Sequence, residues 1–399
     1  MDLRRIGRGA LIVLPAFVVA LAIIPAITQL RDGPGVGGWW PTWDPSGMVD
    51  LEVYHRTGVL VAAGKPFTGI NELPWIYPPF AAVLAVPLSL LPFGLLAVAA
   101  TAINVTLLGA ILRRFNLHGW RLAVALVACV VVVEPVRETL GYGQLGIVIV
   151  ALVLLDLLPG PRLLKTRLLP PGWLTGLATA VKLTPAVVAV AGFFGGPRKS
   201  AWVAFGTFAA ATAIGWLALP QASVQYWLGL LHGDTGTNNS LQYYTNQSVI
   251  GAWTRLAGVA PPAALGLCAV VVVVGVVASV GLYRAGQPVL AVCLAGVASL
   301  VGSPIAWSHH YIWVVPLGFA LVAATALPSW FRWFGLAYCA WVALAPWRLL
   351  PHAGGQEFAY AWWQHALDDL GVVLGIALLV LGVVVTRTTF GRTKPAPVH

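Results

Sequence analysis

Stretches of about twenty apolar residues recur from one end of this 399-residue chain to the other, each long enough as a helix to cross the roughly 30 Å hydrocarbon core of a bilayer. With 59% hydrophobic and only 9% charged residues, no water-soluble core could enclose so much apolar surface. In lipid the backbone must satisfy its own hydrogen bonds, which leaves helices or closed barrels. The expectation is therefore an all-α polytopic membrane protein. Candidate spans fall near residues 9–30, 95–113, 121–135, 143–159, 171–184, 185–197, 201–219, 262–283, 286–304, 310–327, 329–346 and 366–386, about twelve helices in a single transmembrane domain over 1–399. The first, within "ALIVLPAFVVALAIIPAITQL", is too long for a signal-peptide core and lacks a small-residue cleavage site, so it reads as a retained anchor.

Two places are ambiguous. Residues 76–94 are interrupted by Pro78, Pro79, Pro87 and Pro92, and 171–197 is either one helix or two hinged at "KLTP", 182–185. Loop charge chooses between the alternatives. If 76–94 is partial and 171–197 is broken, most of the 23 bases share one side, among them Arg4, Arg113, Arg114, Arg167, Arg198, Arg284 and Arg387. Basic loops stay cytoplasmic, so both termini are expected there. The long loops 31–75, 220–261 and 347–365 then lie on the periplasmic side and carry short interfacial helices. The excess of bases serves topology, and nucleic acid is not an expected partner. The four cysteines fall inside apolar segments with no disulfide or metal spacing. Abundant Ala, Gly, Val and Leu suit a GC-rich bacterial genome, hence a bacterial plasma membrane.

Polar residues in so apolar a chain need reasons. "GMVDLEVYHRTG" (47–58) holds Asp50 and Glu52 on a short amphipathic helix, where they diverge rather than share a face. Solvated loop acids are the plain alternative. "IYPPF" (76–80) sets Tyr77 before a rigid extended turn. "EPVRETLGYGQLG" (134–146) offers Arg137 and Gln144, the latter suited to a sugar hydroxyl or phosphate oxygen, beside glycines that permit close approach. Lys182 lies in an otherwise uncharged run, where a buried ammonium costs at least about 2.5–3.5 kcal/mol unless it meets a polar cavity or an anion. Snorkelling to the interface is its alternative. In "LQYYTNQSVIGAW" (241–253), Asn246 and Gln247 with two tyrosines suit carbohydrate; an interfacial tyrosine belt would look similar. "SPIAWSHHYIWVVP" (303–316) brings Trp307, His309 and His310 to a helix end. Adjacent histidines diverge by about 100° on a helix, which is poor geometry for one metal. No nucleotide-binding, serine-hydrolase or zinc-protease motif is present.

Taken together and in order, "MVDLEVYHRTG", "IYPPFAAVLAVPLSLLP", "GYGQLG", "AVKLTP", "NQSVIGAWTRL" and "SPIAWSHHYIWVVP" resemble glycosyltransferase family 87, membrane enzymes of the GT-C superfold. The resemblance implies transfer of mannose from polyprenyl-phosphate mannose to a phosphatidylinositol mannoside, α-1,2-linked and with inversion, at the periplasmic face. A lipomannan acceptor, or an arabinofuranosyl donor, belongs to the same family. The resemblance makes Asp50 the catalytic base, with Glu52 a sugar ligand or a partner that holds it. Lys182 and one of His309 and His310 would stabilise the leaving phosphate, with Arg137 a further candidate. Tyr77, Gln144, Asn246, Gln247 and Trp307 would complete the donor site. No cofactor is required, and a lipid-linked donor leaves a divalent metal unnecessary. From a different class, a transporter or flippase of an anionic lipid-linked substrate predicts internal repeats and midplane binding residues; no repeat is evident.

Overall fold

The computed structural model describes residues 13–19, 47–67, 73–160, 167–234, 236, 240–259, 262–352 and 354–390. Most of the expected anchor at 9–30 lies outside these residues, as do Asp32, Asp44 and Glu72 of the first long loop and the bases Arg4, Arg5, Arg8, Arg162, Lys165, Arg392 and Lys394. The described chain is helical, and no strand forms among its residues apart from one isolated bridge, Asn246 to Trp307. In chain order the helices are α1 (Val49–Ala62), α2 (Pro79–Ala85), α3 (Phe93–Arg113), α4 (Gly119–Val132), α5 (Glu134–Tyr142), α6 (Gly146–Leu157), α7 (Trp173–Val181), α8 (Ala186–Gly195), α9 (Arg198–Ala218), α10 (Pro220–Leu231), α11 (Val249–Ala257), α12 (Pro262–Arg284), α13 (Pro288–Val301), α14 (Val314–Ala323), α15 (Ser329–Leu344) and α16 (Trp362–Val385).

Among the described residues four helices are long and apolar enough to cross a membrane: α3, α9, α12 and α16. Counting α4 and α5 as one span bent by 78° makes five. This is a multi-pass membrane protein, and among the described residues fewer helices are full-length spans than hydropathy suggests. The difference is local. At 1.5 Å per residue, the 14 residues of α13 reach only about 21 Å, short of a hydrocarbon core. Prolines and glycines end the other apolar runs early. Residues 76–94 do not span: Pro79 starts α2, which passes at Val86 into a 3-10 turn over Val86–Leu90. The run 171–197 is broken, α7 ending at Val181 and α8 starting at Ala186, with Pro185 at its N-cap.

The chain reads in sequence as one domain, but it groups into two compact units built from interleaved segments. One takes Met1–Leu169, Leu174–Leu183 and Gly206–Asn238; the other takes Pro170–Trp173, Thr184–Phe205 and Asn239–His399. In the first, α1 packs on α2 and the following turn, and α3 packs on α4 and α6. The α1–α2 contact needs a glycine: a Cβ on Gly58 would stand 2.2 Å from the Ala85 carbonyl oxygen. In the second unit α12, α13, α8 and α16 form the core. There Gly275 faces Ala298 so closely that a Cβ would lie 2.1 Å from the alanine's, the small-residue approach that membrane helices favour. All four cysteines are buried and unpaired.

Candidate active site

Asp50 sits in the first turn of α1, where the unsatisfied N–H groups and the helix dipole favour a carboxylate. The buried face of this helix presents Leu51, Tyr54, Thr57 and Gly58 to the first unit. Leu51 seats α1 against the "GYGQLG" turn. Gly143 caps α5 in the left-handed conformation (φ 69°), and a Cβ there would lie 2.5 Å from that of Leu51. Glycine is thus required twice over, for backbone angle and for space. The turn delivers Gln144 to Asp50 and Tyr54. Tyr77 arrives from the other side, because Pro78 holds the chain extended (φ −52°, ψ 149°) before α2.

These residues are tied together. The Tyr54 hydroxyl donates to Gln144 Oε1 at 2.8 Å and lies 2.8 Å from the Tyr77 hydroxyl. Tyr77 also reaches Gln144 Oε1, at 3.2 Å. The Gln144 side chain in turn lies near enough to the Asp50 carboxylate to favour its charged form. Lys182, in the break after α7, sets its ammonium 5.6 Å from the centroid of the Tyr77 ring, within cation–π range. Trp75 closes the aromatic cluster, 5.3 Å from Tyr77 and 6.1 Å from Tyr54 between ring centroids. The Asp50 carboxyl is raised from 3.8 to about 6, because desolvation outweighs the lowering influence of Gln144 and of the Lys182 charge. Burial raises the Tyr54 and Tyr77 hydroxyls well above their usual range, so both are phenols and donors. The result is a base poised near neutrality, beside a cation. A small pocket flanks α1, with Val53, Thr57 and Trp75 among its lining residues.

Tyr77, Gln144 and Lys182 therefore join Asp50. Glu52 does not: two residues further along α1 it is turned by about 200° and is exposed to solvent. Arg137, on α5, donates to the Val131 carbonyl at 2.9 Å. Tyr54 was not expected from sequence, because inside an amphipathic helix a tyrosine looks like ordinary packing. Its spacing of four from Asp50, one helical turn, is the signal that could have found it.

The remaining motif residues belong to the second unit, where the amides serve the backbone. Asn246 is fully buried; its Nδ2 donates to the Leu241 carbonyl at 2.9 Å and its Oδ1 accepts from Ala306 N at 3.0 Å. Gln247 donates to the Tyr244 carbonyl and to Asp368, both at 2.9 Å. Expected as ligands of the donor phosphate or sugar, they are engaged within the fold: Asn246 holds the segment leading to Trp307 and the histidines, and Gln247 ties its own turn to Asp368. Ser248 caps α11 by accepting from Gly251 N. Arg255, also not singled out in the sequence, is fully buried between Asp368 and Asp369 and donates to the carbonyls of Tyr243 and Asn246. Trp307 is half-buried, 6.2 Å from Tyr243 between ring centroids. His309 and His310 are buried on a 3-10 turn (Ser308–Trp313), their rings perpendicular at 4.6 Å. Among the described residues no group of three or more His, Cys, Asp or Glu side chains could hold a metal.

The pattern of glycosyltransferase family 87 matches residues 75–304. That stretch contains Tyr77, Arg137, Gln144, Lys182, Asn246 and Gln247 and excludes Asp50, Trp307, His309 and His310. Similarity to whole proteins extends beyond that stretch. The chain is 30% identical to a Mycobacterium tuberculosis polyprenol-phosphate-mannose-dependent alpha-(1-2)-phosphatidylinositol mannoside mannosyltransferase, over 88% of this chain and 89% of that one. It is 29% identical to the protein of the same description from Mycolicibacterium smegmatis, over 85% and 87%. It is 32% identical to a pentamannoside mannosyltransferase from M. smegmatis with the same donor, over 70% of each chain. No solved structure matches.

Proposed function

The chain belongs to glycosyltransferase family 87, and from that premise we propose that it moves mannose from polyprenyl-phosphate mannose onto a mannosylated phosphatidylinositol, forming an α-1,2 linkage with inversion. The observation that carries this reading is the buried Asp50 carboxyl within electrostatic reach of Lys182, whose ammonium faces the Tyr77 ring. Asp50, ionised above about pH 6, takes the proton of the acceptor hydroxyl as its oxygen attacks the anomeric carbon from the face opposite the phosphate. The bond from that carbon to the phosphate oxygen breaks, and polyprenyl phosphate departs with the electron pair. A phosphate needs no proton to leave, so no second acid is required, in contrast to inverting glycosidases. The Lys182 ammonium stabilises the developing charge.

The same reading sets the loop bearing Asp50 at the periplasmic face, with both termini cytoplasmic. The shorter apolar helices would complete a count of about twelve crossings. The test is transfer of labelled mannose by purified protein in detergent, given a phosphatidylinositol mannoside. Asp50→Asn is expected to lower the rate at least about 100-fold. Wild-type turnover by that variant would remove Asp50 from the chemistry. Replacing His309 and His310 singly by Ala tests the sequence-based expectation that one of them assists the leaving group.

A further inference from the structure

Tyr77 and Gln144 have the chemistry of sugar ligands, but their polar atoms are turned on each other. Two phenol protons are shared among Tyr54, Tyr77 and the Gln144 oxygen. The two shortest separations, Tyr77 to Tyr54 and Tyr54 to Gln144 Oε1, are both 2.8 Å. Since each phenol has one proton to give, the arrangement that uses both short contacts runs one way. Tyr77 donates to Tyr54, and Tyr54 donates to Gln144 Oε1. The backbone N–H of Leu145 adds a weaker donor to that same oxygen, at 3.3 Å. With its oxygen committed to donors, the amide cannot flip, which leaves its N–H₂ end as the group that favours the charged form of Asp50.

We propose that Tyr54, Tyr77 and Gln144 are positioning residues, a directional hydrogen-bond relay that holds the Asp50 carboxylate at one angle toward the acceptor hydroxyl. The proposal rests on the reading of Asp50 as base, and it gives Gln144 and Tyr77 a task other than donor binding. Each link polarises the next, as hydrogen bonds in series do in a low-dielectric setting. The relay also connects the base to the cation, since Lys182 faces the ring of Tyr77 at the far end. Three segments distant in sequence, α1, the "YPP" turn and the "GYGQLG" turn, must all be in place before the carboxylate is aimed.

The test measures kcat, donor KM and the pH dependence of kcat/KM for full-length wild type, Gln144→Leu, Tyr54→Phe, the double variant and Asp50→Asn. Wild type should lose activity on acidification through about pH 6. Gln144→Leu should move that limb up by about one pH unit, since it deletes a hydrogen bond to the charged form, and lower kcat about 10- to 100-fold. Donor KM should change less than about twofold. Tyr54→Phe should show the same pattern more weakly, because Tyr77 still reaches Gln144. The double variant should be no worse than Gln144→Leu, as expected for members of one chain. An inactive Asp50→Asn together with an unmoved acid limb, or with a donor KM raised in step with lost activity, would overturn the relay and leave the base assignment standing. A fully active Asp50→Asn would overturn both. If Gln144→Leu does not fold, Tyr54→Phe, which keeps the ring and its packing, decides alone.

Discussion

A carboxyl raised to about 6 from 3.8 has a consequence for stability as well as for rate. Between those values the folded protein holds a proton that the unfolded chain releases. Stability from Asp50 is therefore greatest below pH 4 and falls as pH rises through 6. At neutral pH the ionised group opposes folding, by an amount of order 1–3 kcal/mol. Asp50→Asn should raise the thermal midpoint in detergent at pH 8 while abolishing transfer, and the gain should shrink toward pH 4. A midpoint unchanged at both values would mean that the carboxylate is not destabilised by its surroundings. Lys182 answers to a different measurement. Lys182→Ala removes a charge that lowers the Asp50 carboxyl, so the acid limb should again move up. This variant should also lose donor affinity, which Lys182→Arg should partly restore; a donor KM unaffected by both would place Lys182 outside the phosphate's reach.

The turn that carries Gln144 depends on a glycine whose two requirements can be separated. Gly64 and Gly143 both have positive φ, but Gly64 has open space around it, whereas at Gly143 a Cβ would meet Leu51 at 2.5 Å. Asn tolerates the left-handed conformation, so Gly64→Asn should leave activity near wild type. Gly143→Asn should reduce it severely by pushing α1 away from Gln144. Equal behaviour of the two would mean that the approach of α1 is not critical. The motifs around such turns were legible in the sequence because prolines and glycines leave a signature. The Lys182–Pro185 break and the interrupted stretch at 76–94 were visible for that reason. The helix lengths were not. Hydropathy reports composition along a run, whereas α13 and α8 stop where Gly302 and Gly196 end them.

Amides beside aromatics look the same in sequence whether they bind sugar or protein, and only the folded contacts of Asn246 and Gln247 distinguish the two. The buried triad of Arg255 with Asp368 and Asp369 was hidden for a related reason, since the arginine lies more than a hundred residues from its two carboxylates. Arg255→Leu would strand two buried carboxylates, a loss of about 3–5 kcal/mol, and should abolish recovery of folded protein. Adding Asp368→Asn and Asp369→Asn should return part of it; no recovery would show that the arginine's bonds to the Tyr243 and Asn246 carbonyls matter more than its charge. By contrast Asp50, Tyr77, Gln144 and Lys182 were each legible from a charge or a turn where the surrounding pattern gives no other use for it. Every native thiol, finally, is shielded within the fold. A membrane-impermeant maleimide should therefore leave the wild-type protein unlabelled in intact cells. Glu52→Cys, at an exposed position on α1, would report which side of the bilayer that helix occupies without first building a cysteine-free background.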